Sequence, residues 1–419
     1  MSILIKETLL NQEVNDIFIE ENIIKSIGVN LPIEADRIID GKNKAAIPGL
    51  INGHGHAAMT CFRSFGDDLP LEQWLREKIW PCEEVVTRED VYWGTKLACV
   101  EMIKSGTTTF NDMYKFFPYN AKAVEEMGMR AVLSETIFDY FDSEKANAAK
   151  KQHGLLLEDM HKYSNRIQFA MGPHAIYTVS GEMLRWVDEF SKANKLLIHT
   201  HLSETKTEYE NAVKQFGLSP VRYLHKLGIL SPRLVIAHCL WIDEEEIMML
   251  ADHGVKVVHN PNSNLKLASG FQFKYQEMKD AGVVVGLGTD GCSSSNNLDM
   301  IEAMKVASLL QKAWRFDPTT MPAQEALDCA TVNGARILGL NAGKIEAGCL
   351  ADITLIDLNM PAFTPNFDFV SNLVYAANGS CVDTVICDGK ILMENKHVPD
   401  EEKIMQQAAH TAYNIMKKA

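Results

Sequence analysis

Between residues 49 and 342, short apolar runs alternate with stretches in which apolar positions recur every three or four residues. An apolar run of about four to eight residues bounded by turn formers reads as a buried strand, and the longer period as one face of a helix. Eight such runs are present: Ala46–Asn52, Thr107–Asp112, Arg130–Glu135, Ile167–Gly172, Leu196–His201, Leu234–His238, Val255–His259 and Val283–Thr289. Amphipathic stretches lie between them, among them Arg88–Ser105, Met183–Ala193, Pro220–Leu227 and Asp243–Asp252. Eight βα units in close to 290 residues predict an α/β fold, a (β/α)8 TIM-type barrel, over an open doubly wound sheet. No Gly-x-Gly-x-x-Gly follows a strand and no Walker-type loop occurs, which removes the commonest cofactors of open sheets.

The two ends of the chain carry a different pattern. Residues 1–48 hold short β-type runs at Ile3-Leu4-Ile5, Val14 to Ile19, Ile23 to Ile27 and Arg37-Ile38-Ile39. Residues 343–397 hold Gly343-Lys344-Ile345, Asp352 to Asp357 and Thr384 to Lys390. Gly, Asn and Asp mark the turns in both. The expectation is a small β-sandwich domain built from residues 1–48 and 343–419, with a C-terminal helix, around a catalytic barrel of residues 49–342.

Composition narrows the partners. The formal net charge is −14 and no basic block occurs, so a nucleic-acid surface, which needs clustered Lys and Arg, is not expected. Nine cysteines are scattered singly, which argues against a disulfide framework or a cysteine zinc knuckle and for small buried hydrophobes in a reducing cytoplasm. No long apolar run predicts a membrane span, and Met1 to Leu10 is no secretory signal.

Polar chemistry collects at the ends of the predicted strands: His54, His56, Asp112, His174, His201, His238, His259 and Asp290. In a barrel those ends share one mouth. His54 and His56 are two apart on a strand and therefore face the same side, where both can reach one ion. In Ile198-His199-Thr200-His201-Leu202-Ser203-Glu204, spacing alone does not choose between His199 and His201, although His201 is nearer the strand end. Glu204 follows by three residues, well placed to move the protons of a catalytic water. Asp290 ends an almost wholly apolar strand, where a carboxylate needs a partner such as a metal or its water.

These residues carry a resemblance. Pro48 to His56, Trp74 with Pro81-Cys82-Glu83, Gly172-Pro173-His174, His201 to Glu204, Ala237-His238-Cys239, His259 to Lys266 and Gly288 to Gly291 resemble the amidohydrolase superfamily over nearly the full length. Within it they look like the 5′-methylthioadenosine/S-adenosylhomocysteine deaminases. The resemblance implies one divalent metal per chain, expected to be zinc, held by His54, His56, His201 and Asp290. Iron or manganese would suit the same donors. It further implies that Glu204 shuttles protons, that His238 orients or polarises the attacking water, and that Glu83 and His174 contact a nucleoside, with Trp74 and Ser294 at the pocket wall. Dinuclear relatives use a carboxylated lysine at the fourth strand; Ile167 to Ile176 has none, which favours one metal.

The expected reaction is hydrolytic deamination of an adenosine-type nucleoside to its inosine analogue and ammonia. Asp290 would take the water's proton and Glu204 would donate to the ring nitrogen. A carboxylate such as Glu83 can accept from both hydroxyls of a vicinal diol, which suits a ribose. Family members that use S-adenosylhomocysteine well carry arginines after the third strand. No arginine lies between Arg130 and Arg166 here, and Glu135 stands where the first is expected. Lys145, Lys150 or Lys151 could supply only a point charge. That ranks 5′-methylthioadenosine, adenosine and 5′-deoxyadenosine above S-adenosylhomocysteine. Rival readings are a guanine or 8-oxopurine deaminase, a triazine chlorohydrolase, or a non-catalytic metal-binding barrel. The nucleoside-deaminase reading implies a small-molecule nucleoside substrate as partner, with a homo-oligomer left open.

Overall fold

The computed structural model describes residues 1–69 and 71–418. Eight strands form a sheet in sequential order: Leu50–Gly55, Thr107–Tyr114, Arg130–Ile137, Ile167–Pro173, Ile198–Leu202, Leu234–His238, Lys256–His259 and Val284–Leu287. Every neighbouring pair is parallel, with helices between. The ring closes where Asp290 N donates to His54 O at 3.1 Å and Thr289 N to Asn52 Oδ1 at 3.0 Å. That seam is tight. A Cβ on Gly288 would fall 2.9 Å from the backbone of His54 and 2.5 Å from Asn260 Oδ1, so a side chain there would push the eighth strand off the first.

The first barrel strand starts later than its apolar run. Lys44–Pro48 pairs antiparallel with Ile353–Asp357 of the terminal sheet, and the chain crosses to the barrel at Gly49. A Cβ on Gly49 would lie 2.2 Å from Thr108 Oγ1, which requires glycine at the crossing. Ala46–Ile51 is apolar because the crossing is largely buried, and Asn52 spends its amide on Thr289.

The chain ends form one mixed sheet of eight strands, in the order Lys390–Met393, Val382–Cys387, Ile353–Asp357, Lys44–Pro48, Ser2–Leu10, Glu13–Glu20 and Ile23–Gly28, with Arg37–Asp40 beside Ser2–Leu10. It curls back on itself: Ile24 N donates to Cys349 O at 3.0 Å and Ala351 N to Asn22 O at 2.8 Å. The two layers expected of a sandwich are therefore two halves of one continuous sheet. Between them lie Ile3, Ile5, Ile17, Ile19, Ile353 and Leu355, each fully buried and each contributing roughly 1.5–3 kcal/mol of transfer free energy.

The C-terminal helix, Glu401–Lys418, packs on barrel elements, the helix Arg88–Lys104 and the turn Ala57–Phe62, rather than riding with the terminal sheet. Its stripe of Ile404, Ala408, Thr411 and Ile415 is a helical face that needs an apolar partner. Ile415 finds it in Phe62, Trp74, Ile79, Cys82 and Tyr114. All nine cysteines are buried and unpaired. Among the described residues no helix is long and apolar enough to cross a membrane.

Candidate active site

The C-terminal ends of the barrel strands surround a cavity of ≈ 430 Å³. At its floor the backbone turns sharply out of the strands. Ser203, His238, Cys239 and Asp290 all have positive φ, at 53°, 75°, 51° and 62°. Each such non-glycine residue costs of order 1–3 kcal/mol and persists only where its surroundings over-determine it. Here Leu240 N and Trp241 N both donate to Ser203 O, at 2.9 and 3.0 Å.

Four histidines point one nitrogen at a common centre because the other is tethered. His56 Nδ1 donates to Met113 O at 2.7 Å, and His201 Nδ1 donates to His174 O at 2.9 Å. His238 Nδ1 donates to Asn264 Oδ1 at 2.8 Å, and His54 Nδ1 faces His199 Nε2 at 2.7 Å. With Nδ1 as donor, each Nε2 is left with a lone pair. His56 Nε2 and His201 Nε2 then stand 3.2 Å apart with nothing to donate between them. Asp290 Oδ1 is 3.3 Å from His54 Nε2 and 3.2 Å from His56 Nε2. His54 Nε2 is buried and has no hydrogen-bond partner. Acceptors this close demand a cation. A tetrahedral zinc with bonds of about 2.0–2.1 Å separates its ligand atoms by about 3.3–3.4 Å, close to the His54–Asp290, His56–Asp290 and His56–His201 spacings.

Electrostatics agree with that shape. Desolvation lowers His54 to about 4, and it holds His199 and His201 well below the ordinary histidine value. These rings are neutral at neutral pH, as metal ligands must be. Burial alone would raise Asp290, but hydrogen bonds and charge from His54 and His56 hold it well below the usual carboxylate range. Desolvation would likewise lower His56, yet Asp290 raises it to about 9. In the protein alone, a proton on His56 supplies the positive charge that the cluster is built to hold.

Donor atoms of His54, His56 and Asp290 lie within 4.8 Å of one another, as do those of His54, His201 and His238, so His54 is common to two groups that could hold an ion. His199 is not among them; it stands behind His54. Asp290 is fixed by Ser263 Oγ and Ser294 Oγ on Oδ2, at 2.6 and 2.9 Å, and by Gly291 N on Oδ1, at 2.8 Å. Ser294 therefore lines the cavity with its hydroxyl proton committed to Asp290 or to Gly291 O, and it offers substrate only an acceptor.

Glu204 and His238 face each other across the cavity floor, Oε2 to Nε2 at 3.9 Å. Burial raises the Glu204 carboxyl from its ordinary value, while His238 pulls it down. His174 also lines the cavity. Its Nδ1 donates to Thr178 Oγ1 at 2.9 Å, and desolvation lowers the ring to about 3, so Nε2 is left as an acceptor. Glu83 and Trp74 come from the long excursion after the first strand and line the opposite wall. Burial raises the Glu83 carboxyl, and Lys115 and Tyr114 lower it. Trp74 is 5 % exposed, so it is a packing residue as well as a wall.

Two expected members of the constellation, His259 and Asp112, stand apart from the cavity. His259 does not reach the cavity; it stacks on Phe273 with ring centroids 4.0 Å apart. Its Nδ1 lies 3.4 Å from Asn264 Nδ2, so it steadies the residue that orients His238. Asp112 is likewise structural, accepting from Ala57 N and Asn120 Nδ2, both at 2.6 Å. Glu135 accepts from Phe117 N at 2.6 Å, Phe116 N at 3.2 Å and Gln152 Nε2 at 3.0 Å, which uses it as a helix cap. Sequence reasoning missed Lys115, Phe138, Tyr140 and Tyr177, all on the cavity wall, and Ser263 and Asn264 behind it.

The chain matches the amidohydrolase family model across residues 45–392. It is 49% identical to a 5′-deoxyadenosine deaminase of Methanospirillum hungatei, over 92% of this chain and 86% of that one. It is 47% identical to a 5-methylthioadenosine/S-adenosylhomocysteine deaminase of Dictyoglomus thermophilum, over 95% and 94%. Among solved structures, a zinc-bound adenosine deaminase from Xanthomonas campestris superposes with a TM-score of 0.93 at 32% identity, covering 99% of this chain and 98% of that one.

Proposed function

The chain belongs to the amidohydrolase family, and on that footing we propose that it is a metal-dependent hydrolytic deaminase of adenosine-type nucleosides. The observation that carries the proposal is the lone-pair-lined gap between His54, His56, His201 and Asp290, set beside Glu204 and His238 in a cavity walled by Glu83. The deaminases named above and the zinc-bound neighbour support the same chemistry.

In this reading His54, His56, His201 and Asp290 hold one divalent metal, with zinc the first candidate. When bound, such an ion supplies a water acidified toward neutral pH for addition to C6 of the purine. Asp290, whose Oδ1 faces that point, takes up the proton. Glu204, biased by burial toward its protonated form, donates to ring N1 and takes back the proton of the new C6 hydroxyl as the carbonyl forms, while Asp290 returns the water's proton to the amino group that leaves as ammonia. His238, its ring locked by Asn264, keeps a lone pair aimed at the floor and orients the incoming water. Glu83 accepts from the ribose hydroxyls, His174 accepts through Nε2, and Trp74 and Ser294 bound the pocket.

The 5′-end is read as uncharged. Glu135, at the place of the first expected arginine, is turned to the Phe116 and Phe117 amides, and Lys150 is engaged with Glu182 at 3.6 Å. Hence 5′-methylthioadenosine, adenosine and 5′-deoxyadenosine rank above S-adenosylhomocysteine. The test is an ultraviolet deamination screen of these nucleosides and guanine with metal-reconstituted protein. Turnover of adenosine-type nucleosides without turnover of guanine supports the reading; turnover of guanine alone overturns it. Glu83→Ala separates the readings further, since it should impair ribosides and spare a free base.

A further inference from the structure

The loop after the third barrel strand carries Phe138 and Tyr140 to the cavity, and the segment after the fourth strand carries Tyr177. Tyr140 and Tyr177 are 53 % and 40 % exposed, so they form the rim and not the floor. Phe138 links rim to floor. It stacks on Tyr140 with centroids 5.5 Å apart and packs at a tilt against His174 with centroids 4.6 Å apart.

This rim is held in place. Tyr140 and Phe141 are consecutive non-glycine residues with φ of 48° and 62°, a conformation that needs outside support. The fully buried Asp139 gives it, accepting from Phe141 N at 3.0 Å, from Ser180 N at 2.9 Å and from Ser180 Oγ. Tyr140 N also donates to Thr178 O at 3.0 Å, and Thr178 is the residue that holds His174. Tyr140 is therefore fixed to the strand end that carries His174. It lines the same cavity as Glu83, and burial, then the Glu83 charge, raises its phenol.

Charge along the wall is one-sided. Glu83, Glu84, Glu204 and Asp290 line the cavity, and Lys115 is the one Lys or Arg among the described lining residues. Its ammonium already donates to the Glu83 carbonyl and lies 5.6 Å over the Phe116 ring. The exposed Lys145 lies 5.0 Å over the Tyr140 ring. A carboxylate tail leaving the cavity would meet Glu83 and Glu84 with no guanidinium fork to receive it. A methylthio group would meet aromatic faces, which a thioether sulfur favours.

We propose that Tyr140, braced by Phe138 and facing the rim with Tyr177, is the specificity-determining residue for the 5′-end of the nucleoside, selecting an uncharged alkylthio substituent over one that ends in a carboxylate. The inference rests on the nucleoside-deaminase reading above. Its test is kcat/KM for adenosine, 5′-methylthioadenosine and S-adenosylhomocysteine with metal-loaded wild type, Tyr140→Ala, Tyr140→Phe, Tyr140→Arg and Lys145→Ala. Tyr140→Ala should shrink the preference for 5′-methylthioadenosine over adenosine about tenfold, the scale of a lost small apolar contact, with the change in KM. Tyr140→Phe should keep that preference. Tyr140→Arg should raise S-adenosylhomocysteine relative to 5′-methylthioadenosine by about tenfold or more, the direction a carboxylate-binding fork gives. Lys145→Ala should alter neither ratio. Equal loss for all three substrates in Tyr140→Ala overturns the proposal, as does S-adenosylhomocysteine turnover that collapses in Lys145→Ala. Failure of the wild type to deaminate any of the three removes the parent reading instead.

Discussion

At the floor of the cavity, His54, His56, His201 and Asp290 stand at the ends of the first, fifth and eighth strands; at the rim, Trp74, Glu83, Tyr140 and Tyr177 stand on the segments between strands. Each floor side chain has a partner that fixes it, from Met113 O on His56 to Ser263 on Asp290. The rim is held from loop to loop instead, with Tyr140 N donating to Thr178 O at 3.0 Å and Ser180 N to Asp139 at 2.9 Å. The contrast separates two jobs. A parallel ladder can place ligand atoms within tenths of an ångström, as one ion requires, whereas loops can change which substrate is admitted without disturbing the ion.

The largest effect should come from the floor. Glu204→Gln is expected to lower kcat by about 10³-fold or more while metal content, read by elemental analysis, stays at wild-type level. Loss of metal in that variant would move Glu204 from proton carrier to structural support. At the rim, Glu83→Ala should lower kcat/KM for ribosides by about 10²-fold, the scale of a charged hydrogen-bond pair lost from a diol. A 2′,3′-dideoxy substrate should be indifferent to it. Behind the floor, His199→Phe should weaken metal binding by about 10- to 100-fold, because His54 loses the partner that fixes its tautomer. Competition with a chelator reads that directly, and unchanged affinity would show His54 to be held by packing alone.

The smallest effect is one of pH, and it distinguishes the metal-free protein from the loaded one. His56, at about 9 against 6.5 unfolded, contributes stability that is fully present below pH 6.5 and lost as pH rises through 9. His54 and His174, at about 4 and about 3, contribute in the opposite sense: their stability is present above pH 6.5 and lost as pH falls. The Tm of metal-free protein should therefore peak near pH 6.5 and fall on both sides. With metal bound, the His56 proton is displaced and the alkaline fall should vanish. A metal-free Tm that is flat between pH 6.5 and 9 would contradict the coupling of His56 to Asp290.

The floor was legible in the sequence because strand period and residue type point the same way. His54 and His56 share a face two residues apart, and Asp290 ends an apolar run that leaves a carboxylate needing a partner. His199 and His201 share a face too, and only their depth along the strand, one pleat apart, separates the residue in the cluster from the one behind it. His259 gave the same sequence signal as His238, yet it lies against Phe273, a neighbour that sequence order does not reveal. Glu83 emerged only through resemblance, since the short helix Trp80–Val85 that carries it has no periodic pattern to read. Tyr140 could have been suspected from the cluster Phe138-Asp139-Tyr140-Phe141 directly after the third strand, but nothing in its spacing says that the loop folds back over the mouth. The sequence of the C-terminal helix shows its apolar face and not its partner, so chain order groups it with the terminal sheet whereas its packing puts it on Arg88–Lys104 and Ala57–Phe62.

The most direct test of the metal-dependent deaminase is to strip the metal, restore zinc in steps, and follow ammonia release from 5′-methylthioadenosine against bound metal. Activity should be lost on stripping, rise in proportion to bound zinc and reach its plateau at one ion per chain, with one ammonia formed for each inosine-type product. Full activity in stripped protein, or a plateau without ammonia release, would contradict it.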